Sequence, residues 1–220
     1  MKEKYICKKP GPKSTRIIAR DWKVISPSLT REYDFVWERA KGCYVWDADG
    51  RKYLDFSAAV AVANIGHSND EVIKAISVQM KKGIHSAFSD FYAELPVKFS
   101  ELLVSFLPRG LNKVFLSNSG TETIESALKL ARWYTKKKWL ISFRPSFHGR
   151  TMGSLSLTET KPVAKERFGP FLHVKHAPYP YCYRCPFKKH EHSPSSCSNE
   201  YLADLEKTIR GVRIDLAAIF

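Results

Sequence analysis

The chain contains, at residues 113–132, the stretch Lys113-Val-Phe-Leu-Ser-Asn-Ser-Gly-Thr-Glu-Thr-Ile-Glu-Ser-Ala-Leu-Lys-Leu-Ala-Arg132. A short apolar run gives way here to small polar residues and then to an amphipathic pattern, which predicts a strand at 113–116 and a helix over 121–138. Ser119, Gly120 and Thr121 lie where the strand ends and the helix begins. Backbone N–H groups and the positive end of the helix dipole would meet at that point, so the pattern predicts a site for an anion such as a phosphate.

The same turn also fits a purely structural role. Ser119 and Glu122 match the capping-box pattern, in which each side chain caps a backbone N–H of the first helical turn. Gly120, however, lets a ligand approach the backbone closely, and the turn follows a strand at the end where α/β folds bind ligands. On this stretch alone, capping and phosphate binding both remain open.

A second polar stretch follows the next predicted strand, Trp139–Phe143. It offers an aromatic face at Phe147, an imidazole at His148, a glycine at 149 and a guanidinium at Arg150. A planar aromatic ligand with a nearby carboxylate would use all four. The alternative is an ordinary loop with a buried phenylalanine and a surface arginine.

The rest of the chain predicts an α/β protein. Residues 1 to about 35 contain Pro10, Pro12 and Pro27 and predict an irregular arm, extended at 9–13. Alternating polar and apolar residues predict a hairpin, and helical spacing predicts two helices before residue 110. The predicted elements are hairpin strands 42–47 and 51–56, helices at about 70–82 and 95–106, and strands 172–176 and 215–220.

Composition narrows the class of protein. The 220 residues carry a formal net charge of +14, which raises nucleic acid, an acidic membrane surface or an anionic ligand as partners. The basic residues are scattered in short runs without a nucleic-acid-binding motif, which argues against a dedicated nucleic-acid surface. The sequence has no run of about 18 apolar residues and no signal-peptide pattern at its N-terminus, so we expect a cytoplasmic protein without a membrane anchor.

Several motifs in one order resemble the class III aminotransferases, the pyridoxal-phosphate enzymes that include ornithine, acetylornithine and 4-aminobutyrate aminotransferases. The motifs are Asp47-Ala-Asp-Gly50, Tyr53-Leu-Asp-Phe56, Gly66-His67, Asn118-Ser-Gly-Thr-Glu122 with Ala127-Leu-Lys-Leu-Ala-Arg132, and Phe147-His-Gly-Arg-Thr151. The resemblance implies the N-terminal part of the fold type I transferases (aspartate aminotransferase-like), with an incomplete large-domain sheet. It implies an arm and hairpin of the small domain at 1–65 and the start of the pyridoxal-phosphate-binding large domain at 66–220.

The resemblance also implies site residues. It assigns the cofactor phosphate to Ser119, Gly120 and Thr121, stacking on the pyridine ring to Phe147 with His148 beside it, and a substrate carboxylate to Arg150. It further implies a homodimer that transfers an amino group from an amino acid or ω-amino acid to a 2-oxo acid. Each assignment agrees with the chemistry expected from the residues themselves.

The family's Schiff-base lysine and the Asp that holds the pyridinium nitrogen follow the point where this sequence stops, so no catalytic residue is assigned. We therefore expect a fragment that is inactive alone. The alternative is a non-catalytic remnant or interaction protein that keeps the dimer-forming segment. A Rossmann-type nucleotide enzyme is disfavoured because no Gly-x-Gly-x-x-Gly follows the strand at 113–117.

A loop rich in Cys, His and Tyr lies near the end of the chain. Cys182, Cys185, His190 and Cys197, with His192 nearby, are candidate ligands for a structural zinc ion. The pattern lacks a second closely spaced pair of ligands, so a surface loop with reduced thiols is the competing interpretation, and no metal is assigned. The five Cys do not form the dense framework of a secreted disulfide scaffold.

Overall fold

The computed structural model describes residues 9–29, 31–187 and 194–220, with only the backbone described at 194–198. The chain divides into two compact units, residues 1–95 and 96–220. The helices are α1 Pro12–Val24, α2 Ala58–Ala61, α3 Asp70–Lys82, α4 Glu94–Ser105, α5 Gly120–Thr135, α6 Met152–Leu157 and α7 Pro194–Arg210. The strands are β1 Trp37–Lys41, β2 Tyr44–Asp47, β3 Lys52–Leu54, β4 Trp139–Arg144, β5 Val174–Pro178 and β6 Leu216–Ile219.

The first unit contains the predicted hairpin, which is confirmed as the antiparallel pair β2 and β3. Its turn is held by Asp47, whose buried carboxylate accepts hydrogen bonds from the amides of Asp49 and Arg51 and from the Tyr53 hydroxyl. Strand β1 pairs antiparallel with the other side of β2 and was not predicted. Its residues, Trp37-Glu-Arg-Ala-Lys41, lack the strict alternation that marks a half-buried strand.

The predicted irregular arm is wrong where α1 forms. Pro12 stands in the first turn of this helix, where proline's missing N–H costs no intrahelical hydrogen bond. No side chain of Gly11 can cap the helix; instead the carboxylate of Asp49 accepts the amides of Lys13 and Ser14 at 2.9 and 3.1 Å. A contact 35 residues away therefore begins a helix whose own sequence looks like an extended arm.

The helix predicted at about 70–82 is confirmed as α3, and Asn69 caps it by accepting the amides of Glu71 and Val72. Before it, α2 is a single left-handed turn in which Ala59 and Val60 have φ of 53° and 62°. Such backbone costs roughly 1–2 kcal/mol per residue for L-amino acids. Asp55 contacts the start of this turn by accepting the amides of Ser57 and Ala58.

The second unit is built on a parallel sheet in the order β5-β4-β6. Central strand β4 buries Leu140 and Ile141 completely. Leu128 of α5 and Leu157 of α6 pack with Leu140 in the core, and a further set of apolar residues surrounds them. The predicted strands 139–143, 172–176 and 215–220 and the helix starting near 121 are thus confirmed, with boundaries shifted by a few residues. The helix predicted to residue 138 ends at Thr135, because Lys136 adopts a left-handed conformation.

The strand predicted at 113–116 does not form. Residues 111–117 have no regular secondary structure, and Phe115 is 70% exposed. A β-strand needs a neighbour to pair its backbone N–H and C=O groups. Within the described residues no strand lies beside this segment, so the crossover from 113–116 to β4 is absent from the sheet.

The exposure of one residue in α5 also differs from the sequence prediction. Tyr134, expected on the buried face of α5, is 85% exposed, whereas Leu128 on the same face is buried in the core. The two compact units divide the chain between residues 95 and 96, and the domain boundary expected between residues 65 and 66 stays a prediction. The assignment of these segments to the small and large domains of the fold type I transferases stays a prediction.

Candidate functional site

The predicted phosphate turn lies at the N-terminus of α5. Ser119 caps the helix by accepting the amide of Glu122, while the Glu122 carboxylate accepts the amide of Asn118 at 2.6 Å. The capping role is therefore confirmed for Ser119, whereas Glu122 accepts the amide of Asn118 and not that of Ser119. Within the described residues, however, no acceptor is bonded to the amides of Gly120 and Thr121, and a Cβ at Gly120 would meet nothing within 4 Å. Two N–H donors and open space remain at the positive end of a 16-residue helix.

The structure brings the two predicted stretches together through Thr121 and Gly149. The Thr121 hydroxyl lies 2.8 Å from the Thr151 hydroxyl and 2.6 Å from the Ser154 hydroxyl. Gly149 has φ of 134°, and a Cβ there would overlap Thr121 Oγ1. Only glycine satisfies both the backbone angle and the close approach, so Gly149 is required where the loop after β4 meets α5.

Hydrogen bonding and burial determine the tautomer and the protonation state of His148, which follows β4 in the chain. Its Nε2 lies 3.1 Å from the hydroxyl of Ser142, which donates to the Leu157 carbonyl, so Nε2 carries the proton and donates to Ser142. Burial lowers the pKa of His148 below its usual value of 6.5, which favours the neutral imidazole at pH 7. Its Nδ1 is then an acceptor. The backbone amide of His148 donates to Thr158 Oγ1, which in turn donates to the Gly149 carbonyl.

Phe147 and Arg150, which flank His148 and Gly149 in the sequence, are exposed to solvent. The Phe147 ring is 65% exposed and makes no ring contact with any described residue, so the predicted buried phenylalanine of the ordinary-loop interpretation is wrong. Arg150 is exposed and has no hydrogen bond or ion pair within the described parts of the chain. The aromatic face of Phe147 and the guanidinium of Arg150 are therefore exposed in the loop whose Gly149 contacts Thr121 of α5.

The sequence did not predict two parts of the site, which are helix α6 and the side chain of Glu125. Helix α6 begins directly after Arg150, with Thr151 as its N-cap residue and Ser154 fully buried. Glu125 of α5 accepts the Thr151 hydroxyl and the Ser154 amide. The spacing of Glu125 four residues after Thr121, on one helical face, was a signal that could have predicted a shared partner.

The candidate zinc ligands lie mostly outside the described residues. Cys182 is exposed and Cys185 is half-buried near a short 3₁₀ turn, Cys182–Arg184. His190 and His192 are outside the described residues, and Cys197 is described only by its backbone in α7. Among the side chains that are described, no group of three or more potential metal ligands comes together.

The comparisons with known proteins identify the family of the chain. The model of the family described as aminotransferase class-III matches residues 26–220, which is most of the chain. The chain belongs to the class III aminotransferase family.

Three curated relatives show how much of a longer protein the chain covers. An acetylornithine aminotransferase of Methanopyrus kandleri is 42% identical over 63% of this chain and 36% of its own length. A leucine/methionine racemase of Thermococcus litoralis is 37% identical over 74% of this chain and 37% of its own length. A probable 4-aminobutyrate aminotransferase of Bacillus subtilis is 38% identical over 67% of this chain and 34% of its own length. The chain therefore spans little more than a third of each of these relatives.

Solved transaminase structures show the same fold. The crystal structure of the ω-transaminase from Pseudomonas jessenii, in complex with PMP, superposes with a TM-score of 0.79 at 26% identity. It covers 88% of this chain, which in turn covers 45% of that protein. The predicted fold class, an α/β part of the fold type I pyridoxal-phosphate-dependent transferases, is confirmed. In the residues that the structure describes, no helix has the length and apolar character needed to cross a membrane.

Proposed function

We propose that this chain supplies the phosphate-binding and ring-binding part of a pyridoxal phosphate site in a class III aminotransferase. One observation carries the proposal: the amides of Gly120 and Thr121 have no acceptor among the described residues, and open space lies beside Gly120. These N–H groups suit a dianionic phosphate, since the helix dipole adds to their attraction. Ser119, the N-cap residue of the same turn, is the third residue that we assign to the cofactor phosphate.

The cofactor ring would lie between the phosphate turn and the loop after β4. Phe147 offers the exposed aromatic face for stacking, and His148, held neutral beside Ser142, offers a polar edge. When bound, pyridoxal phosphate supplies an electron sink that stabilises negative charge developing on an amino-acid substrate. No residue of this chain is assigned as the lysine that would hold the cofactor's aldehyde.

The substrates we propose are an amino acid or ω-amino acid donor, of the 4-aminobutyrate or ornithine type, and a 2-oxo acid acceptor. The names of the Methanopyrus and Bacillus relatives support this choice. Arg150 would pair with a substrate carboxylate, because its guanidinium has no partner in the described residues and can bind two oxygens at once. We further propose a homodimer, as the resemblance implies, which sedimentation of the purified chain would test. The cytoplasmic location expected from the N-terminal sequence also stays a proposal.

A ligand without an aldehyde tests the cofactor site directly. Pyridoxamine 5′-phosphate cannot react covalently with surface lysines, so its calorimetric titration reports the pocket alone. We expect it to bind more tightly than unphosphorylated pyridoxamine. Gly120→Ala should weaken its binding by about tenfold or more, because the methyl group would occupy the proposed phosphate position. The melting temperature should stay unchanged or rise, since alanine favours helices and has room here.

Gly211→Ala is the matched control, because its Cβ would make only ordinary contacts in the same unit. Unchanged binding in Gly120→Ala would reject the phosphate site and leave the turn with its capping role alone.

We also propose that the chain needs the remaining part of the family fold for turnover. The unpaired segment 111–117 and the exposed Phe115 support this, because the described sheet offers that segment no neighbour. We expect the chain by itself to transfer no amino group from acetylornithine or 4-aminobutyrate to a 2-oxo acid. Turnover by the purified chain would contradict this proposal, while the binding experiment above would still decide the cofactor site.

A second candidate reaction is racemisation of an amino acid, which the similarity to the Thermococcus racemase favours. It would use the same cofactor position. In an assembled enzyme, loss of optical activity of leucine or methionine without any 2-oxo acid would identify racemisation, whereas a strict need for the acceptor would identify transamination.

A further inference from the structure

Glu125 connects the helix that follows the proposed phosphate turn to the turn that follows the ring-binding loop. It lies one helical turn after Thr121, so both side chains leave α5 on the same face. Its Oε1 accepts the Ser154 amide at 3.0 Å and also the Thr151 hydroxyl. These contacts span 29 and 26 residues of sequence and join α5 to the first turn of α6.

We propose that Glu125 is a positioning residue that couples the phosphate turn, residues 119–121, to the ring loop, residues 147–148. It acts by fixing the turn at 149–154 against α5. The proposal rests on the cofactor site proposed above and adds a residue that holds its two parts at a constant separation. Binding sites depend on such supporting contacts because a ligand gains affinity when its partners are already in place.

Two glycines provide the space in which the side chains of Thr121 and Glu125 contact the turn at 149–154. A Cβ at Gly153 would overlap the carboxylate of Glu125, and a Cβ at Gly149 would overlap the hydroxyl of Thr121. Each glycine therefore faces one of the two α5 side chains. The carboxylate and the hydroxyl sit close to the backbone of the turn because neither glycine has a side chain to keep them away.

The charge of Glu125 also sets the direction of the neighbouring hydrogen bonds. A carboxylate only accepts, so the Thr151 hydroxyl donates to Glu125 and must accept from Thr121 or Ser154, which lie 2.8 and 2.9 Å away. Hydrogen bonds to a charged group are stronger than neutral ones. The negative charge thus orders three hydroxyl groups that lie between the phosphate turn and the ring loop.

Three variants distinguish the effect of the hydrogen bonds of Glu125 from the effect of its charge and from a change in general stability. Glu125→Ala removes both acceptor contacts, and Glu125→Gln keeps an oxygen acceptor while removing the charge. Gly153→Ala leaves Glu125 in the sequence but displaces its carboxylate. Glu206→Ala, an exposed position on α7, is the matched control for loss of one negative charge.

The first measurement needs no ligand. Hydrogen exchange of the Ser154 and His148 amides, followed by NMR, should be about tenfold or more faster in Glu125→Ala and Gly153→Ala than in wild type. Glu125→Gln should retain most of the protection, and Glu206→Ala all of it. A Glu125 side chain that only added general stability would change exchange throughout the unit equally.

The second measurement compares pyridoxamine 5′-phosphate with inorganic phosphate by calorimetry. Inorganic phosphate needs only the turn at 119–121, whereas the cofactor form needs both parts. In Glu125→Ala and Gly153→Ala we expect cofactor affinity to fall about tenfold towards that of inorganic phosphate, whose own affinity stays within about twofold. Glu125→Gln should restore most of the difference.

The outcomes are distinguishable. Cofactor binding that is as tight in Glu125→Ala and Gly153→Ala as in wild type would overturn the positioning role and leave the cofactor site intact. Equal loss of affinity for phosphate and cofactor would also overturn it, because coupling predicts a selective loss. A wild-type chain that binds neither ligand would overturn the cofactor site itself and, with it, the role of Glu125.

Discussion

The hydroxyl oxygen of Thr121 lies 2.6 Å from that of Ser154, which joins the first turn of α5 to the first turn of α6. Thirty-three residues and the central strand of the sheet separate the two in sequence. Ser154 is fully buried, so a hydroxyl there needs a partner, and Thr121 provides one. The phosphate turn and the ring loop of the proposed cofactor site therefore form one structural unit.

Because Thr121 and Ser154 contact each other, we expect their substitutions to have non-additive effects on the free energy of unfolding. Thr121→Val and Ser154→Ala each remove one hydroxyl with little change in shape, and each should lower the free energy of unfolding by about 1 kcal/mol. The double variant should lose less than the sum, because the second substitution removes a group already left without its partner. Chemical denaturation of the four proteins measures the coupling, and strict additivity would show that the two hydroxyls act independently.

Gly149→Ala should be clearly destabilising. The backbone φ of 134° is unfavourable for alanine, which costs roughly 1–2 kcal/mol, and the new methyl group would overlap Thr121 Oγ1. Gly110→Ala is the control, because its φ is 98° and its Cβ would meet nothing within 4 Å. We expect Gly149→Ala to lower the free energy of unfolding by about 1–3 kcal/mol more than Gly110→Ala. Equal effects would mean that the contact with Thr121 does not constrain residue 149.

The half-buried His148 predicts a pH dependence. Burial lowers its pKa in the folded chain, so protonation costs more there than in the unfolded chain. The stability penalty is absent above the unfolded value of about 6.5, begins as the pH falls through that value, and is complete below the folded pKa. NMR titration should give a His148 pKa below 6.5. Replacement by Gln should reduce the fall in stability between pH 7 and pH 5, and an identical pH profile would contradict the assignment.

Asp49 predicts a local effect on α1. The Ser14 side chain near the carboxylate, together with the amides of Lys13 and Ser14 that donate to it, lowers the pKa of Asp49. Its stabilising contribution is therefore present above the unfolded pKa of about 3.9 and is lost as the pH falls through the lower folded value. Asp49→Ala should speed hydrogen exchange of the Lys13 and Ser14 amides at pH 7, and Asp49→Asn should do so less.

Glu32→Ala, an exposed position in the same unit, is the control for the loss of one negative charge. If it accelerated exchange at the start of α1 as much as Asp49→Ala does, the charge and not the cap would be responsible.

The sequence alone determined those features that depend on neighbours within a few residues. The hairpin of β2 and β3, the Asn69 cap of α3, the Ser119 cap of α5 and the apolar strand β4 each follow from local pattern and turn chemistry. The order of the motifs around Gly120 and Phe147 was also sufficient to indicate the class III family, which the family comparison confirmed.

Only the tertiary structure decided the features that depend on distant partners. Helix α1 begins where Asp49 accepts its first amides, and the segment 113–116 is not a strand because no described strand lies beside it. Likewise, only the folded chain brings Ser154 and Thr151 within hydrogen-bond distance of Glu125. Local propensity cannot encode such contacts, because their energy depends on which groups the folded chain brings within hydrogen-bond distance.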